Sequence, residues 1–459
     1  MENKKLNNNL EETRFDEILN KYKPLGQRIL DRLNENPEVS GNEKKTSEFL
    51  INILKEQGYK IVSPRARMKY SFYATKEEKS ELNLPKVAII CEYDAMEDIG
   101  HGCGHSASCA ASIICALAME ETYKDFPFQI DLIGTPDEEI SGGKIKMMEH
   151  GAFDDYEFAV VIQANSVNQP YFRTLASSDM LINFYGKQAH ASMNPWEGVS
   201  ALNGVQLFFH GLDMLRVGLE KGDDVQGVIL DGGKIPNVIP EKATAYVYLR
   251  SKTINRLMKL KKKVEQCAKG CAMAVDNKYD YSQNNPDYAE VFIGNTEKKI
   301  VCDIMDELNL NWEIADEPRG SSDVGNLDTI IPVFNPVIAT EVSETKLYSK
   351  EFAELMKTEK GTHVMVTGAK VMARIIEKMA FEKGLLEKVK EEHREYRSNV
   401  LEWFLKNRLI SNNWYLNADK HSPASSARST KRRVRGDAYV SGSWKLPLTD
   451  REATAFMSK

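Results

Sequence analysis

The 459-residue sequence contains no long hydrophobic run, since no window approaches the roughly eighteen consecutive apolar residues that mark a membrane-spanning helix. Its first twelve residues are rich in Asn, Glu and Lys, and they lack the basic patch followed by an apolar stretch that marks a secretory signal. We therefore expect a cytoplasmic protein that has no membrane partner.

Cysteine is also scarce in this sequence. Seven cysteines in so long a chain are an odd number without the spacing of a disulfide scaffold, so we expect reduced thiols. The composition is 42% hydrophobic and 28% charged, which excludes disorder of the whole chain and is enough for a sizeable buried core. The length indicates two or three domains.

The net charge of −6 is unevenly distributed along the chain. From Leu401 onward, eleven Lys and Arg stand against five Asp and Glu, so the first 400 residues carry about −12. We predict a basic low-complexity tail at 396–459, because its stretch from Ser422 to Arg435 has too little apolar content to fold alone. Such a run can be a nuclear localisation signal or a nucleic-acid-binding segment, but it is more often a solvated tail. We do not expect nucleic acid as a partner, because no fingerprint of a nucleic-acid-binding domain accompanies the tail.

The first part of the chain alternates amphipathic helices with short apolar strands. Apolar residues at helical spacing predict helices over Phe15 to Glu35 and Glu43 to Glu56, and an Ala-rich helix over Ser106 to Glu121 suits burial against a sheet. Three apolar runs are each followed by polar residues, as buried parallel strands are when they end in functional loops. These runs are Val87 to Cys91, Ile130 to Gly134 and Phe158 to Ile162.

The middle of the chain has a different pattern, in which strand-like segments surround two helices. The strands are predicted at Met180 to Tyr185, Gln226 to Leu230 and Ala243 to Leu249, and the helices at Trp196 to about Leu219 and Ile254 to Ala274. This pattern indicates a small α+β domain inserted into a larger α/β domain.

We accordingly predict an α/β fold with four segments. A catalytic domain is formed by 13–175 and 288–395, an inserted α+β domain by 176–287, and the tail by 396–459. The final helix of the body is predicted over Thr362 to Met379.

Side chains that could bind a metal follow the predicted strands. The segment from His101 to His105 places a thiol and two imidazoles within five residues, and its glycines let the backbone turn sharply. The adjacent carboxylates of Glu138 and Glu139 cannot both point the same way from an extended segment, so one could bind a metal while the other acts as a general base. Asp94 could orient a metal ligand. Each feature alone is more often structural, but together they indicate a metal hydrolase.

Six motifs in a fixed order make this indication more specific. They are Cys91 to Ala95, Gly100 to His105, Thr135 to Glu139 with Gly142 to Lys144, Tyr185 to His190, Asn237 to Pro240 and Gly320 to Asp323. Over about Phe15 to Leu386, the sequence resembles the dinuclear-metal amidohydrolases of family twenty of the metallopeptidases, which include aminoacylases, hippurate hydrolases and p-aminobenzoyl-glutamate hydrolase. Within that family it is most similar to a dipeptidase branch that cleaves small dipeptides with basic or β-alanyl components.

The resemblance implies a zinc-peptidase-like, mostly parallel sheet flanked by helices, with the inserted domain as a dimerisation lid and hence a homodimer. It implies hydrolysis of the amide bond of a small dipeptide or N-acyl amino acid. Zinc or another divalent metal would be bound by Cys103, His105 and Glu139, and Glu138 would be the general base.

The resemblance also implies substrate contacts in the inserted domain. His190 would reach into the other subunit's active site and support the substrate carbonyl. Asn237 and Arg250 would hold the substrate carboxylate, for which a guanidinium fork is well suited. From residue type alone, His190 could instead cap the following helix, and Arg250 could be a surface salt-bridge residue.

Two positions depart from the family pattern. Gln163 and Tyr348 stand where the family has metal-binding histidines, and the sequence has only eight histidines in all. An amide is a poor zinc ligand and a tyrosine an uncommon one, although Asn165, Glu341 or Glu344 could supply an oxygen donor. We therefore expect one or two metals per chain, with the second site weakened. The alternative is a catalytically impaired homologue that acts as a binding or scaffold protein.

Overall fold

The computed structural model describes residues 2–76, 82–318, 320–342 and 345–406. The strands, in chain order, are β1 (Tyr59–Val62), β2 (Phe72–Lys76), β3 (Lys86–Glu92), β4 (Gln129–Thr135), β5 (Tyr156–Val160), β6 (Gln163–Asn165), β7 (Ala176–Tyr185), β8 (Ala189–His190), β9 (Asp224–Asp231), β10 (Val238–Ile239), β11 (Lys242–Ser251), β12 (Lys278–Ser282), β13 (Val333–Phe334) and β14 (Val337–Ala339). The helices are α1 (Glu2–Glu35), α2 (Lys44–Glu56), α3 (His105–Thr122), α4 (Glu138–Ser141), α5 (Gly143–Glu149), α6 (Ala201–Arg216), α7 (Ile254–Ala274), α8 (Asn295–Glu307), α9 (Val324–Asp328), α10 (Lys350–Leu355), α11 (Glu359–Phe381) and α12 (Leu385–Lys406).

The main sheet has the strand order β1-β2-β4-β3-β5-β13. Its central strand β3 runs parallel to β4 and β5, and β13 runs parallel to β5, whereas β1 and β2 form an antiparallel edge. All of β4, and all of β3 except its first residue, are buried, as expected of central strands with near-continuous apolar runs. The predicted α/β class with a mostly parallel sheet is confirmed.

Helices cover both faces of this sheet and enclose two hydrophobic cores. The Ala-rich α3 packs against α1 and α11 as well as the sheet, which explains why it is apolar on nearly every side. The predicted helices over Phe15 to Glu35 and Glu43 to Glu56 correspond to α1 and α2. Among the described helices, none combines the length and apolarity needed to cross a bilayer.

A second, fully antiparallel sheet lies in the inserted part, with the order β12-β7-β11-β9 and with α6 and α7 packed against it. The predicted helix from Trp196 is wrong at its start. Pro195–Glu197 form a 3₁₀ turn, and α6 begins only after Ser200, whose Oγ accepts a hydrogen bond from the backbone N–H of Asn203. A serine at this position is a typical helix N-cap. The boundaries 176–287 stay a prediction.

The body continues beyond the predicted final helix into α12. This helix is anchored by Tyr396, which stacks on Phe292 with ring centroids 4.3 Å apart, and by the buried Val400. Residues 396–406 are therefore helical, and the predicted start of the tail at 396 falls inside α12. The basic stretch from Ser422 to Arg435 lies outside the described residues.

Candidate metal and catalytic site

The candidate metal ligands meet where parallel strands of the main sheet end. Strand β3 leads to Asp94 and then to the loop before α3, and β4 leads to the glutamate pair that opens α4. Gly104 lets the first loop enter α3, because its φ is +88° and an added Cβ would lie 2.5 Å from the Ala164 Cβ. Only glycine tolerates both the positive φ and this close approach. The loop therefore delivers Cys103 and His105 to the edge of the sheet.

Cys103, His105 and Glu139 each offer one ligand atom, and these three atoms all lie within 4.8 Å of one another. His105 Nε2 is 4.0 Å from Glu139 Oε1. That carboxylate oxygen is buried and has no hydrogen-bond partner among the described residues. One thiolate, one imidazole and one carboxylate form a set that suits a divalent metal such as zinc. The residues present therefore fit one metal ion.

Asp94 fixes the orientation of the His105 ring. Its Oδ1 is 3.1 Å from His105 Nδ1, and its Oδ2 accepts hydrogen bonds from Ser40 Oγ (2.5 Å) and from the backbone N–H of Glu139 (2.9 Å). Burial alone would raise the pKa of Asp94, but the neighbouring His105 lowers it well below its usual value. A carboxylate bonded to Nδ1 leaves Nε2 free to bind a metal.

Glu138 is almost completely buried, and Ser322 Oγ donates a hydrogen bond of 2.6 Å to its Oε1. Burial raises the pKa of Glu138 well above its usual value, and the negative charges of Glu139, Asp323 and Glu92 add to the effect. A buried carboxyl group held in this way beside the three metal ligands is a candidate general base.

Gln163 and Tyr348 contact different groups close to the three ligands. Gln163 Nε2 donates a hydrogen bond of 3.0 Å to Glu92 Oε2. Tyr348 has a φ of +63° and is 45% exposed, and the negative charge of Glu139 is the main cause that raises its phenol pKa. The backbone N–H of Tyr348 donates a hydrogen bond of 2.9 Å to the carbonyl of Gly102, which precedes Cys103.

The other oxygen donors considered from the sequence are engaged elsewhere. Asn165 Oδ1 accepts a hydrogen bond of 2.8 Å from the backbone N–H of Ser166. Glu341 forms ion pairs with Lys360 at 3.2 Å and with His363 at 3.8 Å. Glu344 lies outside the described residues.

The predicted substrate-binding residues lie on the inserted part of the chain. His190 pairs with Val238 across β8 and β10, and the backbone N–H of Ala191 donates to the Asn237 carbonyl, so His190 and Asn237 are neighbours. His190 Nδ1 also accepts hydrogen bonds, each 3.3 Å long, from the backbone N–H groups of Ser192 and Met193.

Arg250 lies on β11, where its guanidinium is 5.1 Å from the centre of the Tyr248 ring. Within the described chain, no hydrogen bond or ion pair links Arg250, His190 or Asn237 to the three metal ligands.

Four polar residues of the site were not assigned roles from the sequence: Glu92, Lys144, Ser322 and Asp323. All four fall inside motifs that were noted only for their resemblance: Cys91 to Ala95, Gly142 to Lys144 and Gly320 to Asp323. Their proximity to Glu138 arises from tertiary packing that no local spacing reveals.

The chain is similar to several known peptidases. A family model described as the peptidase dimerisation domain of M20 matches residues 176–271. The Xaa-Arg dipeptidase of Mus musculus is 31% identical over 321 residues, which cover 67% of this chain and 73% of that protein. The Xaa-Arg dipeptidase of Homo sapiens is 28% identical over 315 residues, which cover 67% of this chain and 72% of that protein. A dinuclear metal binding M20 peptidase of Bacillus subtilis superposes with a TM-score of 0.56 at 17% identity, covering 76% of this chain and 98% of that one, so the fold is shared.

Proposed function

The chain belongs to the M20 peptidase family and is a hydrolase, and from this premise we propose that it cleaves the amide bond of small dipeptides or N-acyl amino acids with the help of a divalent metal. The observation that carries the proposal is the group formed by Cys103, His105 and Glu139 beside Glu138. The names of the mouse and human relatives favour dipeptides that end in arginine.

The chain's own groups have distinct parts in the proposed reaction. Cys103, His105 and Glu139 would hold the metal, which supplies Lewis acidity toward the scissile carbonyl and lowers the pKa of water. Glu138 takes the proton from the attacking water and passes it to the leaving amine, while Ser322 keeps its carboxylate in place.

Substrate binding is proposed to use the inserted domain. Asn237 and Arg250 hold the substrate carboxylate, and His190 donates to the carbonyl oxygen as charge develops on it.

A homodimer is part of the proposal, because the inserted domain has an unpaired apolar edge. Strand β9 lies at the edge of its sheet, and Val228, Ile229 and Leu230 on it are 50%, 46% and 44% exposed. Such an edge is a template for pairing with another chain. A second copy of this chain would cover it and could bring His190 to the other subunit's site.

The alternative of a catalytically impaired homologue gains no support from the comparisons, since the curated relatives are named for hydrolytic activities. It would require that Gln163 and Tyr348 abolish metal binding, whereas Cys103, His105 and Glu139 remain a complete set for one ion.

The test combines metal removal with a dipeptide panel. Chelator-treated protein should be inactive, and added Zn²⁺ or Mn²⁺ should restore cleavage, best for dipeptides that end in Arg or Lys. Glu138→Gln should lower kcat by about 100-fold or more, because a positioned general base contributes that much. Glu149→Gln, which changes an exposed glutamate nearby, is the matched control and should keep wild-type kcat. Undiminished cleavage by metal-free protein or by Glu138→Gln would contradict the proposal.

A further inference from the structure

A lysine side chain is completely buried beside the candidate catalytic glutamate. Lys144 Nζ is 2.5 Å from Glu92 Oε1 and 2.7 Å from Asp323 Oδ1, and all three side chains have no exposed surface. Glu92, Glu138 and Asp323 each offer an oxygen atom, and these three oxygens lie within 4.8 Å of one another. The group is called the acidic cluster below.

The backbone before Lys144 is built to place the side chain there. Gly142 has a φ of +66°, and a Cβ on Gly143 would lie 1.8 Å from the Pro136 carbonyl oxygen, so the turn closes only with glycine. The backbone N–H of Lys144 donates to Asp323 Oδ2 at 2.8 Å while its ammonium binds Oδ1 of the same carboxylate. Two bonds to one carboxylate fix the position of the ammonium.

The ammonium stands where a metal ion held by the same oxygens would stand. A divalent cation bound by carboxylates lies about 2.0 to 2.6 Å from each oxygen, and Lys144 Nζ lies 2.5 and 2.7 Å from two oxygens of the acidic cluster. Two cations cannot share that point. Burying several carboxylates without a cation is energetically unfavourable, and the Lys144 ammonium provides that cation.

Gln163 completes the arrangement around the ammonium. Its Nε2 donates to Glu92 Oε2, the oxygen that does not bind Lys144. The same oxygen is 3.6 Å from His105 Nε2, so Glu92 stands between the three metal ligands and the ammonium. The residue at position 163, where the family pattern has a metal ligand, here serves the lysine ion pair.

We propose that Lys144 supplies the positive charge of the acidic cluster and keeps a divalent ion out of it. Because Gln163 and Tyr348 also replace two histidines of the family pattern, the chain then binds one metal ion, at Cys103, His105 and Glu139, and not a metal pair. This inference rests on the proposed function in one respect, namely that Cys103, His105 and Glu139 bind a divalent metal ion. It differs from the dinuclear pattern that the sequence resemblance implies, and it assigns to Lys144 a role beside Glu138 that no motif spacing indicated.

The experiment counts metal ions per folded chain. Purified protein is stripped, exposed to excess Mn²⁺ or Zn²⁺, dialysed and measured by elemental analysis, with calorimetric titration to detect a weaker second ion. Wild type should bind one ion. Lys144→Met, which keeps the length of the side chain and removes the ammonium, should bind a second ion in the acidic cluster.

Lys146→Met is the matched control, because Lys146 lies on the same helix and pairs with Asp137 at 3.0 Å, outside the acidic cluster. It should bind one ion, as wild type does.

If Lys144→Met fails to fold, the double variant with Glu92→Gln removes both members of the ion pair and is measured in its place. In that variant, Glu138 and Asp323 are the carboxylates of the acidic cluster that remain, and a second ion bound by them supports the inference. Two ions in wild type, or only one ion in a folded variant that lacks Lys144, overturns it. These outcomes are independent of turnover, so failure of the metal count and failure of the proposed hydrolysis can be told apart.

Discussion

At the scale of single residues, Asp94 has the widest influence on the site. It receives hydrogen bonds from Ser40 and from the backbone of Glu139 while it holds Nδ1 of His105, so it links three segments of chain. Its carboxylate selects the tautomer in which His105 Nε2 carries the lone pair, because a hydrogen bond at one ring nitrogen determines the state of the other.

We predict that Asp94→Asn raises the metal dissociation constant by about 10- to 100-fold, the usual effect of losing such a supporting carboxylate. Competition with a chromophoric chelator measures the constant. Asp131→Asn is the control, since Asp131 is a buried aspartate of the same sheet that bonds to Gln129 and Tyr156. If both variants bind metal as wild type does, the role assigned to Asp94 is wrong.

At the scale of elements, helix α12 is docked by a buried histidine. His393 Nε2 donates to the Asp328 carbonyl and lies 3.6 Å from the carboxylate of the same residue. Burial lowers the pKa of His393 to about 4, and the charge of Arg397 acts in the same direction. The folded protein therefore keeps this imidazole neutral at pH values where the unfolded chain protonates it.

The sign of the pH effect follows from this difference. As pH falls from about 6.5 to 4, the unfolded state gains a proton at His393 that the folded state does not, so stability falls with pH. This difference lowers the free energy of unfolding by roughly 3 kcal/mol. In His393→Gln this contribution is absent, so its free energy of unfolding should fall by roughly 3 kcal/mol less than that of wild type between pH 6.5 and 4. Urea unfolding at a series of pH values measures the difference. Parallel pH profiles for the two proteins would refute the assignment.

Elements with dense apolar patterns could be predicted, and α12 could not. β3, β4 and α3 are buried on nearly all sides, so their sequences are unmistakably apolar. α12 buries only a narrow stripe that includes Val389, His393 and Val400, and most residues between these three are charged or polar. Composition therefore placed the boundary inside a helix that tertiary contacts stabilise.

The candidate site was predictable only where its residues are close in sequence. Cys103 and His105 are two residues apart, and Glu138 and Glu139 are adjacent, so local motifs pointed to them. The partners of Lys144 come from positions 92 and 323, which only the fold brings together. Their arrangement depends on long-range packing, and no spacing rule describes it.

At the scale of the whole molecule, the proposed dimer predicts complementation between two inactive variants. His190→Ala lacks the histidine that serves the other subunit, and Glu138→Gln lacks the base of its own site. In a mixed dimer, one site has both groups intact. An equimolar mixture with random pairing should recover about a quarter of wild-type activity, because half of the dimers are mixed and each has one intact site.

The mixing experiment needs unfolding and refolding, or co-expression with two tags, so that mixed dimers form and can be purified. Each variant treated alone in the same way is the control and should stay inactive. Verified mixed dimers without recovered activity would exclude a contribution of His190 across the interface.

The buried ammonium of Lys144 also determines how the protein responds to metal supply. A site that needs two ions from solution fills, at low free metal, with the square of the metal concentration, whereas a site with one built-in charge fills in direct proportion. Activity plotted against free metal should therefore follow a simple hyperbola with a Hill coefficient of about one. When metal is scarce, the lysine would let this protein stay partly active at concentrations where a two-ion site would be almost empty.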